Sequence, residues 1–229
     1  MLFRSNTGDH ALKVRFEGDS LLAPANDKMT LSIVKANTKL SAGGVSLAYG
    51  ERKPLSATLL RVTDKGNPAK TPLTFSLDDV VLGTAKTDAN GVASLNYKLE
   101  ETLAPGKHTL KVSFAGDANH NASSTTVTLT ANKATTRLNQ TSTTGKKGDT
   151  ISLAANLKRN TGGANLSGRV VTFFVDGTSV GTATTGSDGN AALSYAITQA
   201  KGKYKLKVTF DGDDFYLPTT FEKALLTVK

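Results

Sequence analysis

The chain has 229 residues, 38% hydrophobic and 21% charged, which is enough apolar material for one or two ordinary cores and too little like-charge clustering to keep a chain unfolded. With 28 Lys and Arg against 19 Asp and Glu, the net charge of +9 favours contact with acidic surfaces without specifying a fold. Zero Cys removes disulfides, thiolate chemistry and Cys-ligated zinc, and only His10, His108 and His120 offer imidazoles for metal or proton transfer, so few catalytic classes are expected.

No run approaches the ~18 consecutive apolar residues of a membrane span, and the opening Met1-Leu2-Phe3-Arg4-Ser5 does not read as a signal peptide. The first element is a hairpin in residues 1–35. Its leading strand, GDHALKVRF from Gly8 to Phe16, alternates with period two, and Leu12, Val14, Phe16 and Leu31 share an apolar face with nothing to pack against. The same nonamer returns as GKHTLKVSF from Gly106 and GKYKLKVTF from Gly202, at spacings of 98 and 96 residues. Upstream, LTFSLDDVVLGTA (73–85) aligns without a gap with VTFFVDGTSVGTA (171–183). These matches divide the chain into a partial repeat (1–35) and two full repeats (36–133 and 134–229).

Within the first full repeat, alternation and turn residues predict strands near 37–41, 55–62, 72–77, 80–85, 92–99, 107–114 and 124–131, with equivalents in the next repeat. There, Ile151, Leu153, Ala155 and Leu157, then Val171, Phe173 and Val175, then Tyr204, Leu206, Val208 and Phe210 each line one buried face. Asn90-Gly91 and Asp188-Gly189 are expected to supply the positive φ angles of tight hairpin turns, and TSTTGKK (141–147) reads as a loop. Seven short strands in about a hundred residues predict an all-β fold: tandem immunoglobulin-like Greek-key β-sandwiches preceded by the C-terminal hairpin of an incomplete repeat.

The order VTFFVDG, GTA, DGNA and GKYKLKVTFDGD in the last repeat, kept as LTFSLDD, GTA, NGVA and GKHTLKVSFAGD in the one before, resembles the bacterial immunoglobulin-like repeat of group three. The leading fragment keeps only HALKVRFEGD. The resemblance implies a module strung in tandem on large bacterial surface proteins, adhesins and secreted multidomain enzymes, serving as stalk, spacer or adhesive unit. It implies no ligand, because the shared residues are strand cores and turns.

Three sets of residues are candidates for chemistry. A strand over 201–210 turns Lys201, Lys203, Lys205 and Lys207 to one face, a basic stripe able to bind an acidic polysaccharide or other polyanion; a solvated face is the competing reading. No aromatic platform or nucleic-acid motif accompanies it, so no specific nucleic-acid partner is expected. Asp211, Asp213 and Asp214 supply hard oxygen ligands that could hold calcium, although Asp after Gly also suits a tight turn; no other cofactor is expected. His10 and His108 occupy a position whose third copy is Tyr204, which points to packing and hydrogen bonding rather than catalysis. No nucleophile, base and acid arrangement emerges, and no Lys sits in an apolar alternation where it could form an isopeptide crosslink.

The expected function is therefore non-enzymatic: a structural or adhesive module of a bacterial extracellular or cell-surface protein, partnered by neighbouring repeats or copies of itself. The alternative is a binding module for an acidic polymer. Junctions at Lys35-Ala36 and Lys133-Ala134 contain no extra residues, which predicts little freedom between repeats. The partial repeat is either a remnant of a longer array or an assembly element built on Leu12, Val14, Phe16 and Leu31. Both full repeats already own their last strands, so assembly needs exchange or edge addition, and truncation is the favoured reading.

Overall fold

A computed structural model describes residues 6–229. The reading of Met1–Ser5, and with it the first five residues of the partial repeat, lies outside the described residues. The chain falls into two compact units: Met1–Val45 with Pro54–Asn96 and His108–Leu129, and Ser46–Lys53 with Tyr97–Lys107 and Thr130–Lys229.

Strands β1 (Gly8–Phe16) and β2 (Ala25–Ile33) form a two-stranded antiparallel sheet, with Gly8 opposite Ile33 and Phe16 opposite Ala25. The next eight strands, β3 (Thr38–Ala42), β4 (Val45–Ala48), β5 (Arg52–Arg61), β6 (Pro72–Leu77), β7 (Val80–Lys86), β8 (Val92–Lys98), β9 (Gly106–Phe114) and β10 (Ser123–Asn132), form one immunoglobulin-like sandwich. Its sheets run β3-β5-β8 and β4-β10-β9-β6-β7. The pattern recurs in β11 (Thr136–Gln140), β12 (Thr143–Gly145), β13 (Thr150–Arg159), β14 (Val170–Val175), β15 (Thr178–Thr184), β16 (Asn190–Ala196), β17 (Gly202–Phe210) and β18 (Thr219–Val228), as β11-β13-β16 and β12-β18-β17-β14-β15. The only helical element among the described residues is one 3-10 turn, Thr161–Gly163.

The cores follow from the period of two. Leu55, Ala57 and Leu59 alternate inward from β5, Leu153, Ala155 and Leu157 from β13, and Phe75 and Phe173 are fully buried in the facing sheets. β-Branched and aromatic residues suit this pleated, half-covered surface, where each inward side chain meets the opposite sheet.

Two sequence expectations change. The short strands β4 and β12 went unread: β12, inside the expected loop 141–147, pairs in parallel with Leu226–Val228, and a three-residue strand has no alternation to detect. The Asn90-Gly91 and Asp188-Gly189 turns are not hairpin turns, because β7 and β8, like β15 and β16, lie in different sheets. They carry the chain across the sandwich, with only the Gly at positive φ (+74° in both). The tight two-residue hairpins are instead Asp78-Asp79 and Asp176-Gly177, where both residues have positive φ.

Candidate interaction surfaces

Strand β17 lies between β14 and β18 in its sheet, so its inward Leu206, Val208 and Phe210 are buried and its outward face lies at the middle of the sheet. Lys203 and Lys205 are exposed on that face, opposite Thr227 and Leu225 of β18. Lys207 is half-buried because its ammonium sits 4.4 Å from the centroid of the Phe174 ring, a cation–π contact from the neighbouring strand. A bulge between Leu206 and Val208 shifts the β18 register around Lys207. The strand begins at Gly202, so Lys201 lies in the preceding bend and the aligned stripe has three lysines rather than four. Among the described residues, no carboxylate lies within ion-pair distance of Lys203, Lys205 or Lys207.

The equivalent face of the preceding repeat differs. Thr109 stands in the place of Lys205 and Ser76 in the place of Phe174. Asp78 and Asp79 line that face together with Thr109 and Lys111. Asp78 accepts hydrogen bonds from the ring Nδ1 of His108 at 2.5 Å and from the Thr109 amide at 2.8 Å, which hold its carboxyl below the usual carboxylate range. His108 thus has the packing and hydrogen-bonding place expected of it. Tyr204 donates to the Ala200 carbonyl at 2.9 Å, and His10 bonds the Asn6 carbonyl at 2.8 Å.

The structure does not bring the three C-terminal aspartates together as a metal site: among the described residues no group of three acidic, His or Cys side chains is arranged to hold a metal ion. Asp213 is engaged elsewhere. Its Oδ1 accepts from the amides of Phe215 and Tyr216, each at 2.8 Å, and its Oδ2 accepts from Arg169 Nε at 2.8 Å. Gly212, at φ +84°, starts this turn, and a Cβ there would stand 2.8 Å from the Tyr216 carbonyl oxygen. The same device appears in all copies: Asp117 Oδ1 takes the amides of Asn119 and His120 after Gly116 (φ +85°), and Asp19 Oδ1 those of Leu21 and Leu22 after Gly18 (φ +83°).

This turn closes on the strand entry, a role that sequence reading missed. Ala36 gives its amide to the Asn119 carbonyl at 2.8 Å and accepts the Asn121 amide at 2.9 Å; Ala134 does the same with Phe215 and Leu217, both at 2.9 Å. The signal was present as Gly-Asp repeated at Gly18, Gly116 and Gly212, 98 and 96 residues apart.

A second network had no sequence signal. Within the second compact unit, Arg169 Nη2 reaches Glu101 Oε2 at 2.6 Å while its guanidinium lies 5.2 Å from the Tyr216 ring centroid, and the Tyr216 hydroxyl donates to Glu101 Oε1 at 2.6 Å. Burial pushes the Tyr216 hydroxyl far up, and its bond to Glu101 pushes the same way. For Arg169, burial works to lower the pKa, but Glu101 and Asp213 outweigh it and the pKa rises. Tyr49 meets Phe215 edge-on with centroids 4.9 Å apart, and Arg159 Nη1 donates to the Tyr49 carbonyl at 3.2 Å. Glu101 lies in a segment two residues longer than its counterpart after Tyr195, so the repeat alignment offers no guide to it.

The hairpin face lies open. Leu12, Val14, Phe16, Met29 and Leu31 are 43–62% exposed, while the equivalent Leu110, Val112 and Phe114, and Leu206, Val208 and Phe210, are 0–4% exposed.

The model of the bacterial Ig-like domain (group 3) matches twice, at residues 40–132 and 138–229. No curated protein sequence matches the chain. Among solved structures, it is similar to the titin domains Z1Z2 crystallised with telethonin (15% identity, TM-score 0.43, 86% of this chain and 98% of that one). It is also similar to a tetra-tandem repeat from the extending region of a large adhesion protein (18% identity, TM-score 0.43, 97% and 57%). A third is the calcium-stabilised adhesin with which an Antarctic bacterium binds ice (16% identity, TM-score 0.34, 96% and 56%). The chain spans just over half the length of these two adhesin structures.

Proposed function

The chain belongs to the bacterial Ig-like domain (group 3) family, and on that footing we propose that it is a non-catalytic structural module of an extracellular bacterial surface protein, its full repeats acting as a spacer or adhesive stalk. The observation that carries this reading is the connector at 133–135. Ala134 is hydrogen-bonded through both its amide and its carbonyl, Lys133 Nζ donates to the Asp213 carbonyl at 2.6 Å, and Thr136 Oγ1 donates to the Leu217 carbonyl at 2.9 Å. A connector tied at each of these points is not a flexible tether, and a spacer gains reach from that lack of slack. The absence of Cys makes the test direct. Ala89→Cys/Ser187→Cys, at two equivalent exposed turn positions, carries a pair of spin labels. A narrow distance distribution that broadens when Gly-Ser residues are inserted after Lys133 supports the spacer. A native distribution as broad as that of the insertion variant refutes it.

One observation favours a second role for the same chain, binding of an acidic polysaccharide at the outer face of β17. Among the described residues Lys203, Lys205 and Lys207 have no acidic partner, and adjacent outward positions on a strand repeat at about 7 Å, which suits a polymer with regularly spaced negative charge. Thr227 and Leu225 beside them, and Phe174 beneath Lys207, make the face a mixed polar and apolar one. Retention on a sulfated-polysaccharide column that falls with salt and is lost in Lys203→Ser/Lys205→Ser/Lys207→Ser supports this role. Retention unchanged in that variant, or lost equally in Lys107→Ser/Lys111→Ser, assigns it to net charge alone.

A further inference from the structure

We propose that Arg169, Phe215 and Tyr216 form an interaction surface of the second full repeat whose partner is the Tyr49 and Glu101 segments of the first, and that this docking stabilises the second repeat. Residues Ser46–Lys53 and Tyr97–Lys107 lie by sequence in the repeat 36–133, yet they belong to the same compact unit as Thr130–Lys229. Two side chains join them to it. Each carboxylate oxygen of Glu101 accepts from the second repeat, Oε1 from the Tyr216 hydroxyl and Oε2 from Arg169 Nη2, both at 2.6 Å. Tyr49 is buried with its ring edge-on to Phe215, and its hydroxyl donates to the Leu103 carbonyl at 2.8 Å, which ties the two docked segments to each other. Gly50 follows at φ +75°, where a Cβ would stand 1.1 Å from Arg159 Nη1, so the backbone approaches the second repeat more closely than a side chain would permit.

The surface is particular to this repeat. Thr71, Asn119 and His120 occupy the places of Arg169, Phe215 and Tyr216 in the preceding copy, and Lys147 occupies that of Tyr49 in the last. The Gly-Asp turn recurs in each copy while these positions change, so the fold of a single repeat does not demand them. Charge decides which partner fits. The Arg169 guanidinium forks between Asp213 of its own repeat and Glu101, so Asp213 fixes its direction and leaves Nη2 for an acid from the neighbouring repeat. Asp213 also holds the amides of Phe215 and Tyr216, so the docked acid bears on the turn that closes the strand entry. Without Glu101, the buried Tyr216 hydroxyl loses its acceptor and Arg169 keeps one carboxylate, and a buried donor left unpaired costs more than the bond itself contributes. The second repeat thus draws part of its stability from residues outside it, as neighbouring units of a tandem array do. Thermodynamic coupling of this kind is reciprocal, so the first full repeat gains as much from the second.

The test is native-state amide exchange of the full chain, read at β17, which lies wholly in the second repeat. The spacer reading is judged separately, by the spin-label distance, and does not depend on this outcome. Glu101→Ala is expected to lower β17 protection about tenfold or more, although the substituted residue lies in the other repeat. Glu100→Ala removes the neighbouring acid, paired with Lys98 at 2.7 Å, and is expected to leave β17 protection within about twofold. Tyr216→Phe keeps the ring and removes the hydroxyl, so the variant Glu101→Ala/Tyr216→Phe has no unpaired donor and is expected to fall no further than Glu101→Ala alone. Three results overturn the proposal: β17 protection unchanged in Glu101→Ala, an equal loss in Glu100→Ala, which assigns the effect to net charge, and losses from Glu101→Ala and Tyr216→Phe that simply add in the double variant.

Discussion

Leu12, Leu110 and Leu206 occupy one position in three copies of the same hairpin, and their surroundings differ enough to decide between packing and sequence as the source of stability. Leu206 is 0% exposed, so Leu206→Ala removes its transfer free energy and leaves a cavity, about 3 kcal/mol within the 2–5 kcal/mol range of buried Leu→Ala changes. For a repeat of this size each kcal/mol moves the melting temperature by about 4–8 °C, so the transition of the C-terminal repeat falls by roughly 12–24 °C. Leu110, 2% exposed, has the same consequence for the other full repeat. Leu12 is 47% exposed and faces no second sheet, so Leu12→Ala opens no cavity and leaves both transitions within about 1 °C in dilute protein. Differential scanning calorimetry of the full chain in dilute solution reads all three. If Leu12→Ala lowers a repeat transition as far as Leu206→Ala does, the hairpin is part of a packed core and the argument from its open face fails.

Three further changes test local features. Gly189→Ala puts a Cβ 2.7 Å from the Leu157 carbonyl oxygen at φ +74°, and is expected to cost more than about 1 kcal/mol in denaturant titration; an unchanged midpoint refutes the steric reading. Gln140 is buried with neither Nε2 nor Oε1 hydrogen-bonded, where the preceding repeat has Ala42, so Gln140→Leu is expected to raise the melting temperature of its repeat, by about 1 kcal/mol in stability, and a lowered one contradicts this. The depressed pKa of Asp78, set first by His108 and then by the Thr109 amide, gives a stabilisation that is complete above the unfolded carboxylate value and lost as pH falls through the folded one; Asp78→Asn should flatten the fall in melting temperature below about pH 4, and an unaltered acid limb removes Asp78 from the account.

The fold was legible because an immunoglobulin-like repeat declares itself through alternation. Leu153, Ala155 and Leu157, or Leu206, Val208 and Phe210, can face a core only as strands, and the recurrence of the nonamer set the repeats. What failed were features whose meaning depends on partners far along the chain. Asn90-Gly91 looks like a hairpin turn locally, and only the sheet assignment of β7 and β8 makes it a crossing. β12 exists because Leu226–Val228 is beside it. Lys203, Lys205 and Lys207 lie on an outward strand face while Lys201 falls before the strand, and the place of Phe174 under Lys207 depends on the pairing of β14 with β17. Arg169, Glu101 and Tyr216 are unremarkable in sequence, and their network arises from folding alone.

The aspartates after the last Phe show how one carboxylate is committed when two readings compete for it. Calcium needs six to eight oxygen ligands at 2.3–2.6 Å as a rule, several of them free carboxylate oxygens. Asp213 has both oxygens engaged, Oδ1 by two amides and Oδ2 by Arg169, so a cation there would displace three donors and stand against the Arg169 charge. The like turns at Asp117 and Asp19 use the same amide contacts although neither copy repeats the Asp213-Asp214 pair, which ties the conserved geometry to backbone closure rather than to charge. The melting temperature is therefore expected to be the same in millimolar calcium and in chelator, while Asp213→Ala, which frees two turn amides and leaves Glu101 as the remaining carboxylate on Arg169, lowers it by the equivalent of about 1–3 kcal/mol. A calcium-dependent rise that disappears in Asp213→Ala would show that the ion outcompetes the turn and would overturn this assignment.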